Sequence, residues 1–299
     1  MNQPRRAPRR KLDGVLLLDK PAGLSSNACL GNVKHLFMAE KAGHTGTLDP
    51  FATGLLPVAL GEATKFSQGL LNADKTYLAT MRLGLTTTTG DIEGDVTAER
   101  PVHCGDPAIR AAMAGFRGGI LQVPPMYSAL KRDGKPLYAY ARAGIELERA
   151  PRPVTIHAIE LVVREDASVV FRVTCGKGTY IRTLAEDIGQ MLGCGAHLTA
   201  LRRERVGRLD VADAHTLKSL AALDAAGRDA CLAAPDSLVT DFPRIALDAI
   251  QAARLRLGQR VPVDGVDGEA RAYDDALRFL GMVRVTAGVA HPLRLTSAA

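Results

Sequence analysis

The spacing of apolar and polar positions changes several times along the chain, and each change predicts an element. Gly14 to Asp19 (GVLLLD) is a short apolar run, the mark of a buried strand, closed by the turn residues Lys20-Pro21-Ala22-Gly23. Ser25 or Ser26 can cap a helix that presents Leu30, Val33, Leu36 and Phe37 on one face. A glycine-rich stretch, Gly43 to Gly54, separates this helix from a second strand-like run, Leu55 to Leu60. Lys75 to Leu83 alternates with a period of two, as a half-buried strand does, and the polar residues Gly84 to Asp95 predict a loop. Asp106-Pro107 opens a helix with Ile109, Ala112, Met113 and Phe116 turned inward. Past the connector Ala150–Pro153 come two β-rich runs, Val154–Val163 and Val169–Cys175. A turn at Gly178 then leads into a helix with Ile181, Leu184, Ile188 and Leu192 on one face. Leu217–Ala234 predicts one Ala-rich helix, and Asp241-Phe242-Pro243 marks a boundary. Short strands follow at Ala272–Tyr273, Phe279–Val285 and Leu293–Leu295. The order is mixed α and β, with antiparallel signals stronger than regular β-α-β alternation.

Composition bounds the picture. The length of 299 residues suits one large domain or two modest ones. With 46% hydrophobic and 23% charged residues, the chain reads as globular and not as intrinsically disordered. The net charge is +6, but Arg5, Arg6, Arg9, Arg10 and Lys11 lie in the first eleven residues without an acid. Residues 1–11 are therefore expected to form a disordered basic tail, and a polyanion-binding face in the folded body has to be local. No apolar run approaches the ~18–20 residues of a membrane-spanning helix. No apolar segment follows the tail as a secretory signal would require. The five cysteines, without a CxxC, fit reduced thiols in a cytoplasmic protein. No metal site is expected, since His103-Cys104 lacks partners at ligand spacing.

Four segments carry candidate chemistry. In His44-Thr45-Gly46-Thr47-Leu48-Asp49-Pro50 one carboxylate sits among small residues, and Pro50 biases Asp49 toward extended backbone. Asp49 is either a turn residue bonding nearby amides or a nucleophile or general base. Cys175-Gly176-Lys177-Gly178-Thr179-Tyr180-Ile181-Arg182 lacks the Ser or Thr that follows the lysine of a nucleotide-triphosphate loop. Its Arg182 is either solvated or holds a carboxylate by two bonds. Pro124-Pro125-Met126-Tyr127-Ser128-Ala129-Leu130-Lys131-Arg132 mixes aromatics with cations, as nucleic-acid surfaces do. From Arg172 to Arg208 seven cations face three acids, a local +4 around Arg202 and Arg203, which reads as an RNA footprint or as a solvated strand face.

Together, and in order, DGVLLLDKPAGLSS, KAGHTGTLDPFATGLLPVALGEATK, KTYLATMRLGLTTTTGDIEG, PPMYSALKRDGKPLYAYARAG, CGKGTYIRTLAEDIG and GAHLTALRRERVG resemble the motifs of the bacterial TruB family, the tRNA pseudouridine-55 synthases. The resemblance runs from Asp13 to Gly207 and continues more weakly through Phe279–Val285. It implies an α+β pseudouridine-synthase fold around an antiparallel sheet, with a small C-terminal PUA-like RNA-binding barrel. The implied organisation is a catalytic domain at residues 12–240, an RNA-gripping insertion at about 117–150, and a PUA-like domain at 241–299. The implied reaction isomerises one uridine in the T-arm of tRNA without cofactor or metal, in a cytoplasmic monomer.

By motif, Asp49 is the catalytic nucleophile and Arg182 its ion-pair partner. Tyr77 stacks on the target base and serves in removing the C5 proton. Tyr180 and Leu201 shape the uracil pocket, His44 enters the RNA where the base left, and Lys20 supports the site. Lys131, Arg132, Lys135, Arg202 and Arg203 are expected on RNA phosphates. Phe51 stands where the family has Leu, a conservative change. Two other readings compete. One is a non-enzymatic RNA-binding protein, which would most simply lack Asp49 or Tyr77. The other is a retaining hydrolase, which needs a second carboxylate about 5–5.5 Å from the first, with Glu186 a distant candidate.

Overall fold

A computed structural model of the chain describes residues 8–265 and 267–297. Its centre is a ten-stranded sheet. Along the main path the strands are His215–Thr216, Gly14–Lys20, Thr53–Leu60, Ala196–Val206, Lys75–Leu83, Ser168–Cys175, Arg152–Glu165 and Gly118–Gln122. Ala42–His44 pairs beside Thr53–Leu60, and Leu209–Asp210 beside Ala196–Val206. The pairing is antiparallel except at two joints, Gly14–Lys20 with His215–Thr216 and Thr53–Leu60 with Ala196–Val206.

The alternation in Lys75–Leu83 sends Tyr77, Ala79, Met81 and Leu83 into the core while Thr76, Leu78 and Thr80 stay half-buried. Against that inner face packs the helix Ile181–Met191 through Ile181, Leu184, Ala185 and Ile188. Gly54 permits the central parallel joint. It sits at φ +100°, and a Cβ there would lie 2.3 Å from the Arg203 carbonyl oxygen.

The helix Ser26–Leu36 is capped by Ser25, whose hydroxyl accepts from Ala28 N at 3.1 Å. Ser26 does something else: its buried hydroxyl accepts from Leu48 N at 2.9 Å and donates to Leu48 O at 3.0 Å. The helix is thereby stapled to the glycine-rich loop one residue before Asp49.

The C-terminal part folds around its own core of Leu247, Leu255, Val261, Val283 and neighbours. It is a five-stranded curled sheet ordered Arg244–Ala246, Gly268–Tyr273, Phe279–Thr286, Val289–Leu295 and Val261–Pro262, consistent with the expected PUA-like domain. Tyr273 donates to Asp236 Oδ2 at 2.6 Å, and the Phe279 ring meets Phe66 edge-on at 5.0 Å. These contacts seat it against the body built on the ten-stranded sheet.

Some expectations change. The segment expected as one helix from Leu217 to Ala234 is two, Leu217–Ala222 and Ala225–Ala230, because Asp224 caps a new start by accepting from Gly227 N at 2.7 Å. The run after Leu83 is not all loop, since Leu85–Thr87 and Val96–Glu99 form a hairpin. The basic tail is only partly open to description, residues 1–7 lying outside the described residues. Arg10 is no free tail residue: its amide donates to Met38 O at 2.7 Å and its guanidinium pairs with Asp229. Among the described residues no helix is long and apolar enough to cross a membrane.

Candidate active site

The inner face of the sheet, the glycine-rich loop and the start of the helix Ile181–Met191 enclose a cavity of about 230 Å³. Asp49, Tyr77, Tyr180, Arg182 and Leu201 line it, together with Ser128 and Ala129 from the 117–150 segment. Five parts of the chain, far apart in sequence, thus meet at one opening.

Arg182 is the hub. Its side chain is 4% exposed, and its Nε lies 3.1 Å from Asp49 Oδ2 while Nη2 donates to Asp49 Oδ1 at 3.5 Å. The rest of the fork is also used. Nη1 lies 3.3 Å from Asp91 Oδ2 and donates to Thr89 O at 2.9 Å, and Nη2 donates to Tyr127 O at 2.6 Å. A lysine has no planar fork to serve these directions together.

Asp91 is buried and is itself held by Thr89 Oγ1 at 2.5 Å and Glu93 N at 3.0 Å. The site is therefore a carboxylate–guanidinium–carboxylate chain whose open end is Asp49, with a side chain still 35% exposed toward the cavity. Burial pushes the Asp49 carboxyl above the usual aspartate range and Asp91 adds to this, while Arg182 and Lys20 pull it back.

Tyr77 is buried, and burial pushes its phenol above the usual tyrosine range. Directly across the strand pair from it sits Arg203. Arg203 is 1% exposed, so the expectation that it meets RNA phosphate is overturned. Its Nε donates to Leu55 O at 2.8 Å and its Nη2 to Gly46 O at 3.0 Å, which ties the glycine-rich loop to the sheet. Lys20, expected to support the site, is fully buried beneath the loop and touches no solvent. Its Nζ donates to the carbonyls of Pro21 at 2.9 Å, Pro50 at 3.1 Å and Ala52 at 2.6 Å. It holds the turn that follows Asp49 and does not reach a substrate.

Tyr180 is half-buried with its ring on the cavity, and burial raises its phenol above the ordinary range. Leu201 is buried on the cavity wall. His44 stands at the end of the strand Ala42–His44, with Nε2 3.2 Å from Asn27 Oδ1. Its Nδ1 is buried without a partner among the described residues. Burial, then Arg203, lowers its affinity for a proton, which favours the neutral ring.

The local +4 between Arg172 and Arg208 does not survive folding as a basic face. Arg172 pairs with Glu204 and Glu160, Arg205 with Asp210, and Arg208 with Asp241. Arg202 makes two bonds to Asp19, at 3.0 and 2.8 Å. The neutralising acids mostly lie outside that stretch of sequence. Lys131, Arg132 and Lys135 are exposed on the 117–150 segment, and none is in an ion pair among the described residues. Asp91 and Gln122 belong to the site and were not anticipated from the sequence. Asp91 looked like one more acid in a polar loop, and its only signal was the GDIEG run.

Comparison with known proteins gives this geometry its class. Family models for the N-terminal domain of TruB family pseudouridylate synthases match residues 34–181. Models for the tRNA pseudouridylate synthase B C-terminal domain and for the C-terminal part of pseudouridine synthase II TruB match 182–240 and 243–296. A protein of Burkholderia lata named tRNA pseudouridine synthase B is 58% identical over 98% of this chain and 93% of its own. One of Aromatoleum aromaticum with the same name is also 58% identical, over 98% of this chain and 95% of its own. Among solved structures, a Cbf5–Nop10–Gar1 complex matches with a TM-score of 0.71 at 29% identity, covering 91% of this chain and 78% of that one. An H/ACA RNP bound to a substrate RNA containing 2′-deoxyuridine matches at 0.71 and 27%, covering 95% and 84%. Fold and relatives define a pseudouridine synthase, an isomerase. The chain belongs to the TruB family of pseudouridylate synthases.

Proposed function

We propose that this enzyme isomerises uridine 55 in the T-arm of tRNA to pseudouridine, with Asp49 as nucleophile, acting as a cytoplasmic monomer. The observation that carries the reading is the Asp49–Arg182 pair at 3.1 Å opening into a cavity walled by Tyr77, Tyr180 and Leu201. Its relatives named tRNA pseudouridine synthase B support the tRNA substrate.

The target nucleotide leaves its stack, at a cost of a few kcal/mol that contact with the pocket offsets. Tyr77 and Tyr180 supply flat faces for the uracil and Leu201 an apolar wall. His44, at the mouth of the glycine-rich loop, takes the place the base vacated. Asp49, held ionised by Arg182 against the effect of its burial, attacks as the bond between N1 and the ribose breaks. The uracil turns, C5 bonds to the ribose carbon and releases Asp49, and the proton leaves C5 by way of the Tyr77 phenol. N1 ends protonated, so atoms and electrons balance with no redox change and no cofactor required. Among the described residues the cavity lining contains one carboxylate, Asp49, so a retaining hydrolase's second acid is not in place among them. Lys131, Arg132 and Lys135 meet RNA phosphates, each contact steepening the salt dependence of binding.

The test is incubation of an unmodified tRNA transcript with the purified protein, followed by mapping of pseudouridine by carbodiimide adducts that stop primer extension. One new stop at uridine 55 is expected. No stop, or stops only at other uridines, overturns the reading.

A further inference from the structure

Gln122 ends the edge strand Gly118–Gln122 of the central sheet, at the point where the 117–150 segment departs from that sheet. Along that strand Gly118, Gly119 and Leu121 are exposed, yet Gln122 is 2% exposed. A polar side chain buried at the end of an edge strand needs both halves of its amide satisfied, or it costs stability. Both halves go to one residue. Tyr180 N donates to Gln122 Oε1 at 3.0 Å, and Gln122 Nε2 donates to Tyr180 O at 3.1 Å.

Tyr180 is no ordinary partner. It stands at the N-cap of the helix Ile181–Met191, at φ −101° and ψ 111°, with no side-chain cap bond of its own. Its amide therefore depends on Gln122, while its carbonyl also accepts from Leu184 N at 3.0 Å as the first helical bond. The Tyr180 ring faces the cavity, and Arg182 lies two residues on, reaching back to Tyr127 O. The clamp thus fixes the backbone from which both side chains project.

We propose that Gln122 is a positioning residue, whose two bonds set Tyr180 against the base and aim the Arg182 fork at Asp49. This rests on the reading of the cavity as the site of uridine isomerisation. Gln122 touches no reacting atom. Removing its bonds leaves the tRNA surface intact and loosens the geometry in which the reaction occurs, so it acts on rate and not on binding.

The test compares wild type with Gln122→Met, nearly equal in volume but unable to make either bond, at a temperature where thermal scans show both folded. Single-turnover tritium release from tRNA labelled at uracil C5 is expected to fall about tenfold, the worth of one net hydrogen bond lost from the aligned state. The dissociation constant for tRNA is expected within about twofold to threefold of wild type, since no phosphate contact changes. An unchanged rate in folded Gln122→Met, whatever its melting temperature, overturns the proposal. So does a loss confined to tRNA affinity. If Gln122→Met does not fold, amide exchange in the wild type decides. Tyr180 N–H is expected to be strongly protected, and exchange as fast as at exposed Gly178 overturns the clamp. That exchange is read without turnover, so a wild type that released no tritium would overturn the proposed function separately.

Discussion

Replacing Asp91 with Asn asks whether the far end of the carboxylate–guanidinium–carboxylate chain controls the near end. Asp91 Oδ2 lies 3.3 Å from Arg182 Nη1, and its other oxygen is occupied by Thr89 and Glu93. Asn removes the charge and has one acceptor where Asp91 has two, so either Arg182 Nη1 or Glu93 N loses its acceptor. A hydrogen bond between ionised partners contributes roughly 1.5–3 kcal/mol and a neutral one about 1, so aligning Arg182 loses about 1–2 kcal/mol. If that loss falls on the transition state, single-turnover tritium release drops about fivefold to 30-fold, with tRNA affinity unchanged. A second effect runs the other way. Asp91 helps push the Asp49 carboxyl up, so without its charge Asp49 ionises more readily. A nucleophilic carboxylate works above its folded pKa, and activity is lost as pH falls through that value. In Asp91→Asn the acid limb of the pH–rate profile therefore moves to lower pH even as the plateau falls. A plateau equal to wild type with an unmoved acid limb would refute the coupling.

Three further outcomes follow from buried or cavity-lining groups. Glu186 is pushed up to about 7, chiefly by burial, with Asp187 and Asp91 adding and Arg182 opposing. The folded state binds this proton more tightly than the unfolded chain, so stability falls as pH rises from the ordinary glutamate value to about 7 and then levels. Glu186→Gln is expected to flatten that dependence, on the order of 2 kcal/mol across the window, in urea titrations at pH 5 and pH 8. Identical slopes in the two proteins would contradict it. Lys20→Met strands the carbonyls of Pro21, Pro50 and Ala52 in a buried place, and an unfolding free energy lower by about 2–4 kcal/mol is expected. An unchanged urea midpoint would show that Lys20 does not hold the loop. Tyr77→Phe keeps the ring and loses the phenol, so turnover is expected to fall much further than tRNA affinity, and intact turnover would limit Tyr77 to stacking.

Much of the fold is legible in period and caps. The alternation of Lys75–Leu83 and the apolar face of Ile181, Leu184 and Ile188 both reappear in the core. What is illegible is pairing at a distance. Arg202, Arg203 and Arg205 read as one basic cluster, but strand geometry turns the successive residues Arg202 and Arg203 to opposite faces, and a register shift lies between Arg203 and Arg205. Arg203 goes into the core, and Asp19, far away in sequence, takes Arg202. The window that suggested an RNA footprint counted charges without their partners. Asp91 was missed for the complementary reason, since a carboxylate in a polar loop gives no sign that a buried arginine comes to meet it. The family motifs pair Asp49 with Arg182, 133 positions apart, and the fold brings them within 3.1 Å.

The proposed reaction depends on the Asp49 carboxylate held by Arg182. Asp49→Ala removes the proposed nucleophile and leaves the exposed cations of the 117–150 segment untouched. Tritium release from C5-labelled tRNA, followed over hours with enzyme in excess, tests this most directly. Wild type is expected to release tritium steadily and Asp49→Ala none above background, with tRNA still bound. Release by Asp49→Ala at the wild-type rate would contradict it.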